Sequence, residues 1–175
     1  MDRKNEFAER VRAVDEAQVR RDGRSLVAAS DELSAQVTEL RRRLSSGDRA
    51  AIDEALDFVE LRKPVFRVGY DQEKLFRSLK QAELDDSQLG RLEFLALQLL
   101  SSSLQGGQLR ELARVLRGRA STGFRTKLQA LASATESVVR RRAVRTLSVV
   151  SEGRRVAKRP SSTTKRSRTR RRTSG

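Results

Sequence analysis

Ser25 to Leu44 reads SLVAASDELSAQVTELRRRL, with Leu26, Leu33, Val37, Leu40 and Leu44 recurring at steps of seven, four and three residues. Those steps return a side chain to the same face of a 3.6-residue helix, whereas a strand needs alternation. The stretch holds no proline or glycine, and the chain has prolines only at Pro64 and Pro160. The expected fold is therefore all-α.

The same rhythm runs in both directions. Upstream, Phe7, Val11, Val14 and Gln18 predict a helix over about 2–21, stopped by the turn dipeptide Asp22-Gly23. Glu16 with Arg20 and Glu39 with Arg43 stand at the favourable acid-before-base spacing of four. The two helices read as a hairpin or short coiled coil. Its seam of Leu26, Leu33, Val37, Leu40 and Leu44 could pack within the chain, or could form a homodimer or take up partner helices. Three heptads do not decide between these.

Downstream, Asp48 is placed to cap a helix carrying Ile52, Leu56 and Val59. Arg62 to Tyr70 (RKPVFRVGY) is the irregular stretch, expected as a short extended piece or loop containing Val65, Phe66, Val68 and Tyr70. Asp71 is expected to cap the following helix of Leu75, Phe76 and Leu79. Asp85 with Gln88 has the spacing of a capping box. The helix RLEFLALQLLSSSL (91–104) is leucine-coated on nearly all sides and expected at the buried centre. Gly106-Gly107 is expected to break it before a shorter helix over 108–117. After Ser121-Thr122-Gly123, one long helix over about 124–150 carries Phe124, Leu128, Leu131, Val138 and Leu147 in phase. Six to seven helices result, in one helical domain over 1–150: an N-terminal hairpin (1–46) and a leucine-rich bundle (48–150), followed by a basic tail (151–175).

Charge separates the tail from the body. The net charge is +15. Residues 137–175 hold 14 basic side chains and one acid, Glu152, so the first 136 residues are nearly neutral. From Gly153 to Gly175 the sequence GRRVAKRPSSTTKRSRTRRRTSG has ten Lys or Arg and no acid. Almost no apolar surface offsets the entropy of ordering such a segment, so disorder is expected there. A cation of this density is suited to polyanions, nucleic acid first among them. The expected contacts are Arg140, Arg141, Arg142 and Arg145 on the last helix, then Arg154, Arg155, Lys158, Arg159, Lys165, Arg166, Arg168, Arg170, Arg171 and Arg172. Arginine outnumbers lysine 31 to 7, and its planar fork can grip a phosphate through two parallel hydrogen bonds. With no aromatic residue in the tail to stack on bases, contact would be to the backbone and nearly sequence-independent.

Other chemistry is sparse. The absence of Cys and His removes disulfides, thiolate and imidazole metal ligands, and nucleophilic or acid–base schemes built on them. Asp85-Asp86 is an adjacent pair of aspartates, placed at a helix start where carboxylates meet free amides; it reads as a cap rather than a metal site. No phosphate loop of the GxxxxGK[ST] type occurs, and Ser101-Ser102-Ser103 lacks an activating base. No cofactor and no catalytic residues are expected. Arg110, Arg114 and Arg117 share one face, so the helices around Gly106-Gly107 could also form a helix-turn-helix with 108–119 as the reading helix.

The expected function is thus a non-enzymatic nucleic-acid-binding protein. The alternatives are a helical interaction or adaptor module whose tail is an address signal, or a nucleocapsid-type protein with a genome-packaging tail. Lys158-Arg159 and Lys165 to Arg172 have the form of a nuclear localisation signal, and the interspersed serines and threonines are candidate phosphorylation sites. No 18-residue apolar run and no signal-peptide core are present. An intracellular, soluble protein without membrane contact is expected, in the nucleus of a eukaryote or the nucleoid or cytoplasm of a bacterium.

Overall fold

Short polar side chains cap the starts of four of the eight described helices. In the computed structural model, which describes residues 3–61, 68–102 and 106–152, the described residues form eight helices and no strand. They are α1 (Arg3–Val19), α2 (Gly23–Ser45), α3 (Arg49–Glu60), α4 (Val68–Leu79), α5 (Asp86–Leu100), α6 (Gly106–Val115), α7 (Thr122–Leu131) and α8 (Ser137–Ser151). Asp22 accepts from the backbone N–H groups of Arg24 and Ser25 and opens α2. Asp48 accepts from Ala50 N at 3.0 Å and opens α3. The Asp85–Gln88 capping box forms in both directions, at 2.8 and 3.1 Å. Each of these satisfies donors that the first turn of a helix cannot pair internally.

One apolar core runs through the bundle from Phe7 to Val150. Leu33, Val37, Leu40 and Leu44 are buried and Leu26 is half-buried, so this seam packs inside the chain. α2 lies against α1, α3 and α4, while α5 and α6 centre the second half with α8 across them. On α1 the buried stripe is Phe7, Val11, Val14 and Ala17; Gln18, placed on that stripe by its spacing, is exposed, and the neighbouring Ala17 takes its place. Phe7 meets Phe58 of α3 with ring centroids 5.1 Å apart.

Beyond Gln18, five departures concern helix boundaries and burial. Val68 is wholly buried, and α4 begins there rather than at Asp71. Val68 and Tyr70 are therefore helical, while Pro64, Val65 and Phe66 lie outside the described residues. Asp71, expected as a cap, sits one turn inside α4, buried, accepting from Ser34 Oγ at 2.9 Å and Lys74 Nζ at 2.8 Å. Gly106 and Gly107 do not merely end α5, which stops at Leu100; they are the first residues of α6. The Glu73 carboxylate, the tip of a flexible side chain, occupies the space a Cβ at 107 would need.

The fourth and fifth departures concern α5 and the last helix. α5 is not sheathed on all sides, because Phe94 is 63% exposed. The single helix expected over 124–150 is two, α7 and α8, turned at 132–136 and packed on each other. The turn moves the buried stripe of α8 to Val139, Ala143, Thr146 and Val150, one residue out of phase with Val138. A straight helix could not bury both halves against a shared core. The expected disorder of 153–175 concerns residues outside those described.

Ion pairs tie the helix ends together. Arg43, expected to pair with Glu39, instead bridges Asp48 at 2.7 Å and Glu54 at 2.7 Å, while Glu39 takes Arg42. The Arg43 guanidinium beside Asp48 holds its carboxyl below the ordinary carboxylate value. A group whose pKa is lower folded than unfolded contributes stability above the unfolded value and loses it as pH falls through the folded one. Asp48→Asn should therefore cost stability in urea titrations at pH 7 and progressively less as pH falls below the ordinary carboxylate value. In the same assay at pH 7, Asp85→Ala should cost about 1 kcal/mol and Asp86→Ala less than half of that.

Candidate nucleic-acid interface

α8 presents its arginines according to what its other residues bury. With Val139, Ala143, Thr146 and Val150 turned inward, Arg140, Arg141 and Arg145 are left exposed. None of the three forms an ion pair among the described residues. Arg140 Nη1 donates to Ala134 O at 3.2 Å, bracing the α7–α8 turn. Arg141 and Arg145 stand four apart on one stripe.

Arg142 behaves differently from its neighbours. Its Nη1 donates to the carbonyl oxygens of Leu99 (3.4 Å), Leu100 (3.1 Å) and Ser102. These lie at and just past the C-terminus of α5, where the helix dipole is negative; Leu99 O also accepts from the backbone N–H groups of Ser101 and Ser102. A half-buried guanidinium is well matched to that position. Arg142 is thus engaged in the fold, and the outward cations of α8 are Arg140, Arg141 and Arg145. Spacing alone could not separate the members of an RRR run, since each occupies a different face.

A second polar clamp fixes the start of α7. Glu93 of α5 accepts from Ser121 N at 2.5 Å and from Ser121 Oγ at 2.8 Å, and Ser121 Oγ accepts from Phe124 N at 3.0 Å. The α7–α8 pair is therefore fastened to α5 at two separate points along its length.

α6 carries two more exposed arginines, Arg110 and Arg114, and Arg117 follows just past its end at Val115. Leu109, Leu112, Val115 and Leu116 are buried while Arg110, Arg114 and Arg117 face outward. Glu111, only 5% exposed, receives Arg114 Nη1 at 2.6 Å and lies 3.8 Å from Arg110 and 3.9 Å from Arg77 of α4. Arg117 meets Glu152 at 3.3 Å. The contribution of Glu111 is not legible in sequence, where an acid between arginines reads as a surface residue.

The remaining candidates resolve as structure. Asp85 and Asp86 open α5, and no group of three or more metal-ligating acids occurs among the described residues. Ser101 Oγ donates to Gln98 O at 3.2 Å. A cleft of about 370 Å³ between α5 and the α7–α8 turn is lined mainly by Leu97, Leu100, Leu131 and Val139. No described helix is long and apolar enough to cross a membrane. Arg154, Arg155, Lys158, Arg159, Lys165, Arg166, Arg168, Arg170, Arg171 and Arg172 lie outside the described residues. Comparison with family models, curated proteins and solved structures finds no match to this chain.

Removing Arg142 strips a charged donor from several carbonyls at once. Arg142→Ala should lower stability by about 1.5–3 kcal/mol in urea denaturation, whereas Arg141→Ala should stay within about 0.5 kcal/mol of the parent.

Proposed function

We propose that this chain is a non-enzymatic nucleic-acid-binding protein that grips phosphate backbones through its Arg-rich C-terminal segment and the outward arginines of α8, largely without sequence specificity. The observation that carries this reading is the separation of charge: 14 basic residues against one acid over 137–175, with Arg140, Arg141 and Arg145 exposed and without ion pairs among the described residues. Such a cation displaces condensed counterions from nucleic acid, and their release drives association. The helical body supplies an ordered root for the segment, because α8 leads directly into it. A nuclear or nucleoid location would follow from the same chemistry.

Fluorescence anisotropy on a labelled 20-base-pair duplex, titrated over KCl concentration, tests the reading. Binding should fall steeply with salt, by about 0.9 in the log–log slope for each phosphate contacted. Deleting 153–175 should weaken affinity at 0.1 M KCl by at least about 100-fold, in line with loss of several such contacts. Undiminished affinity after the deletion would refute the proposal.

A further inference from the structure

α4 and α6 pack side by side and run in the same direction. Glu73 of α4 lies against Gly107 of α6 and, four residues on in both helices, Arg77 reaches Glu111 at 3.9 Å. Their outer faces therefore adjoin along a seam, and its charges are layered. The acids are recessed, with the Glu111 side chain 5% and that of Glu73 23% exposed. The cations stand outside them, with Arg77, Arg110 and Arg114 at 54%, 62% and 44%.

One charged partner is enough for a buried carboxylate, and Glu111 has three. Arg114 Nη1 meets its Oε1 at 2.6 Å, while Arg110 Nε stands 3.8 Å from the same oxygen and Arg77 Nε 3.9 Å from Oε2. Arg77 also lies 3.8 Å from Glu73. The longer contacts exceed hydrogen-bond length, so Arg77 and Arg110 keep N–H donors for another oxygen. Three arginines from two helices are thus gathered over recessed carboxylates, and a guanidinium fork suits phosphate.

Tyr70 continues this face along α4. Residues 70 and 77 are seven apart, which returns the helix to within about 20° of the same direction and advances it about 10 Å. The ring is 59% exposed, and Lys74 Nζ lies 4.4 Å from its centroid, itself held at 2.8 Å by buried Asp71. An aromatic ring standing in water beside cations is the combination that holds single-stranded nucleic acid: the ring stacks on a base and the cations follow the backbone. In a duplex the bases are stacked on one another and offer Tyr70 no free face.

We infer that the outer face of α4 and α6 is a single-stranded nucleic-acid site, in which Arg77, Arg110 and Arg114 take phosphates and Tyr70 stacks on a base. The inference rests on the nucleic-acid reading above and adds to it a site on the folded body and a strand preference.

The chain has one tyrosine and no tryptophan, so the intrinsic fluorescence of the full-length protein reports Tyr70 alone. Saturation with a 20-nucleotide oligothymidylate should quench that emission, whereas saturation with a 20-base-pair DNA duplex should leave it nearly unchanged. In anisotropy titrations Tyr70→Ala should weaken binding to the single strand by about 5- to 150-fold, the range for losing one stacked base, and binding to the duplex by less than about twofold. Tyr70→Phe keeps the ring and should keep the affinity. Arg77→Gln/Arg110→Gln leaves the 2.6 Å contact between Arg114 and Glu111 in place. It should lower the log–log salt slope on the single strand by about 1.4, from two contacts at about 0.7 each. The charge-matched Arg12→Gln/Arg24→Gln, at exposed positions of α1 and α2, should leave the slope unchanged. Unquenched tyrosine on the saturated single strand, equal losses from Tyr70→Ala on single strand and duplex, or equal slopes in the two arginine pairs would overturn the site and leave the nucleic-acid reading standing. Failure of the unaltered chain to bind either nucleic acid would overturn both.

Discussion

The guanidinium of Arg142 on the carbonyl end of α5 is the contact on which the basic face of this protein depends. A helix laid on a core is free to roll until something fixes its rotation. Val139, Ala143, Thr146 and Val150 give α8 an inward side, but their modest volumes alone define it loosely. Arg142 adds a directional anchor, since its charged donor reaches carbonyls at the end of α5. With that rotation set, Arg141 and Arg145 are left exposed and Arg140 reaches the α7–α8 turn. One member of a run of three arginines thus orients the other two.

α6 is fixed by buried polar contacts rather than by apolar burial alone. Gln108 Nε2 donates to Gln72 Oε1 at 2.6 Å, and Gln72 Nε2 donates to Phe58 O at 3.3 Å. These amides are almost wholly buried, so each bond contributes about 1 kcal/mol while an unpaired partner would cost about 1–3 kcal/mol. The asymmetry rewards a single register among α3, α4 and α6. The arginine stripe of α6 consequently stands on a rigid support.

Much of the fold was legible because helical period and capping chemistry are local. Asp48, the Asp85–Gln88 box and the leucine seam of α2 stand where spacing places them. The misreadings share a cause: a local signal outweighed by burial. Asp71 has the chemistry of a cap, yet Val68 extends the helix past it to reach the core. Residues 124–150 are continuous in helical propensity, yet α7 and α8 pack on each other only if the chain turns between them. Gly106-Gly107 has the look of a breaker and serves as the tight entry to a helix.

The amino-acid sequence alone determined that the chain is all-α, that its positive charge collects at the C-terminal end, and that Cys and His chemistry is absent. Composition and period suffice for those, because they are additive properties of neighbouring residues. Only the tertiary structure decided which arginines face water and which serve the fold. Arg142 and Arg141 are adjacent, equally basic and indistinguishable by propensity. What separates them is a 100° rotation about the helix axis and the position of α5's carbonyl end, forty residues earlier in the chain. The same long-range packing sets α6 beside α8.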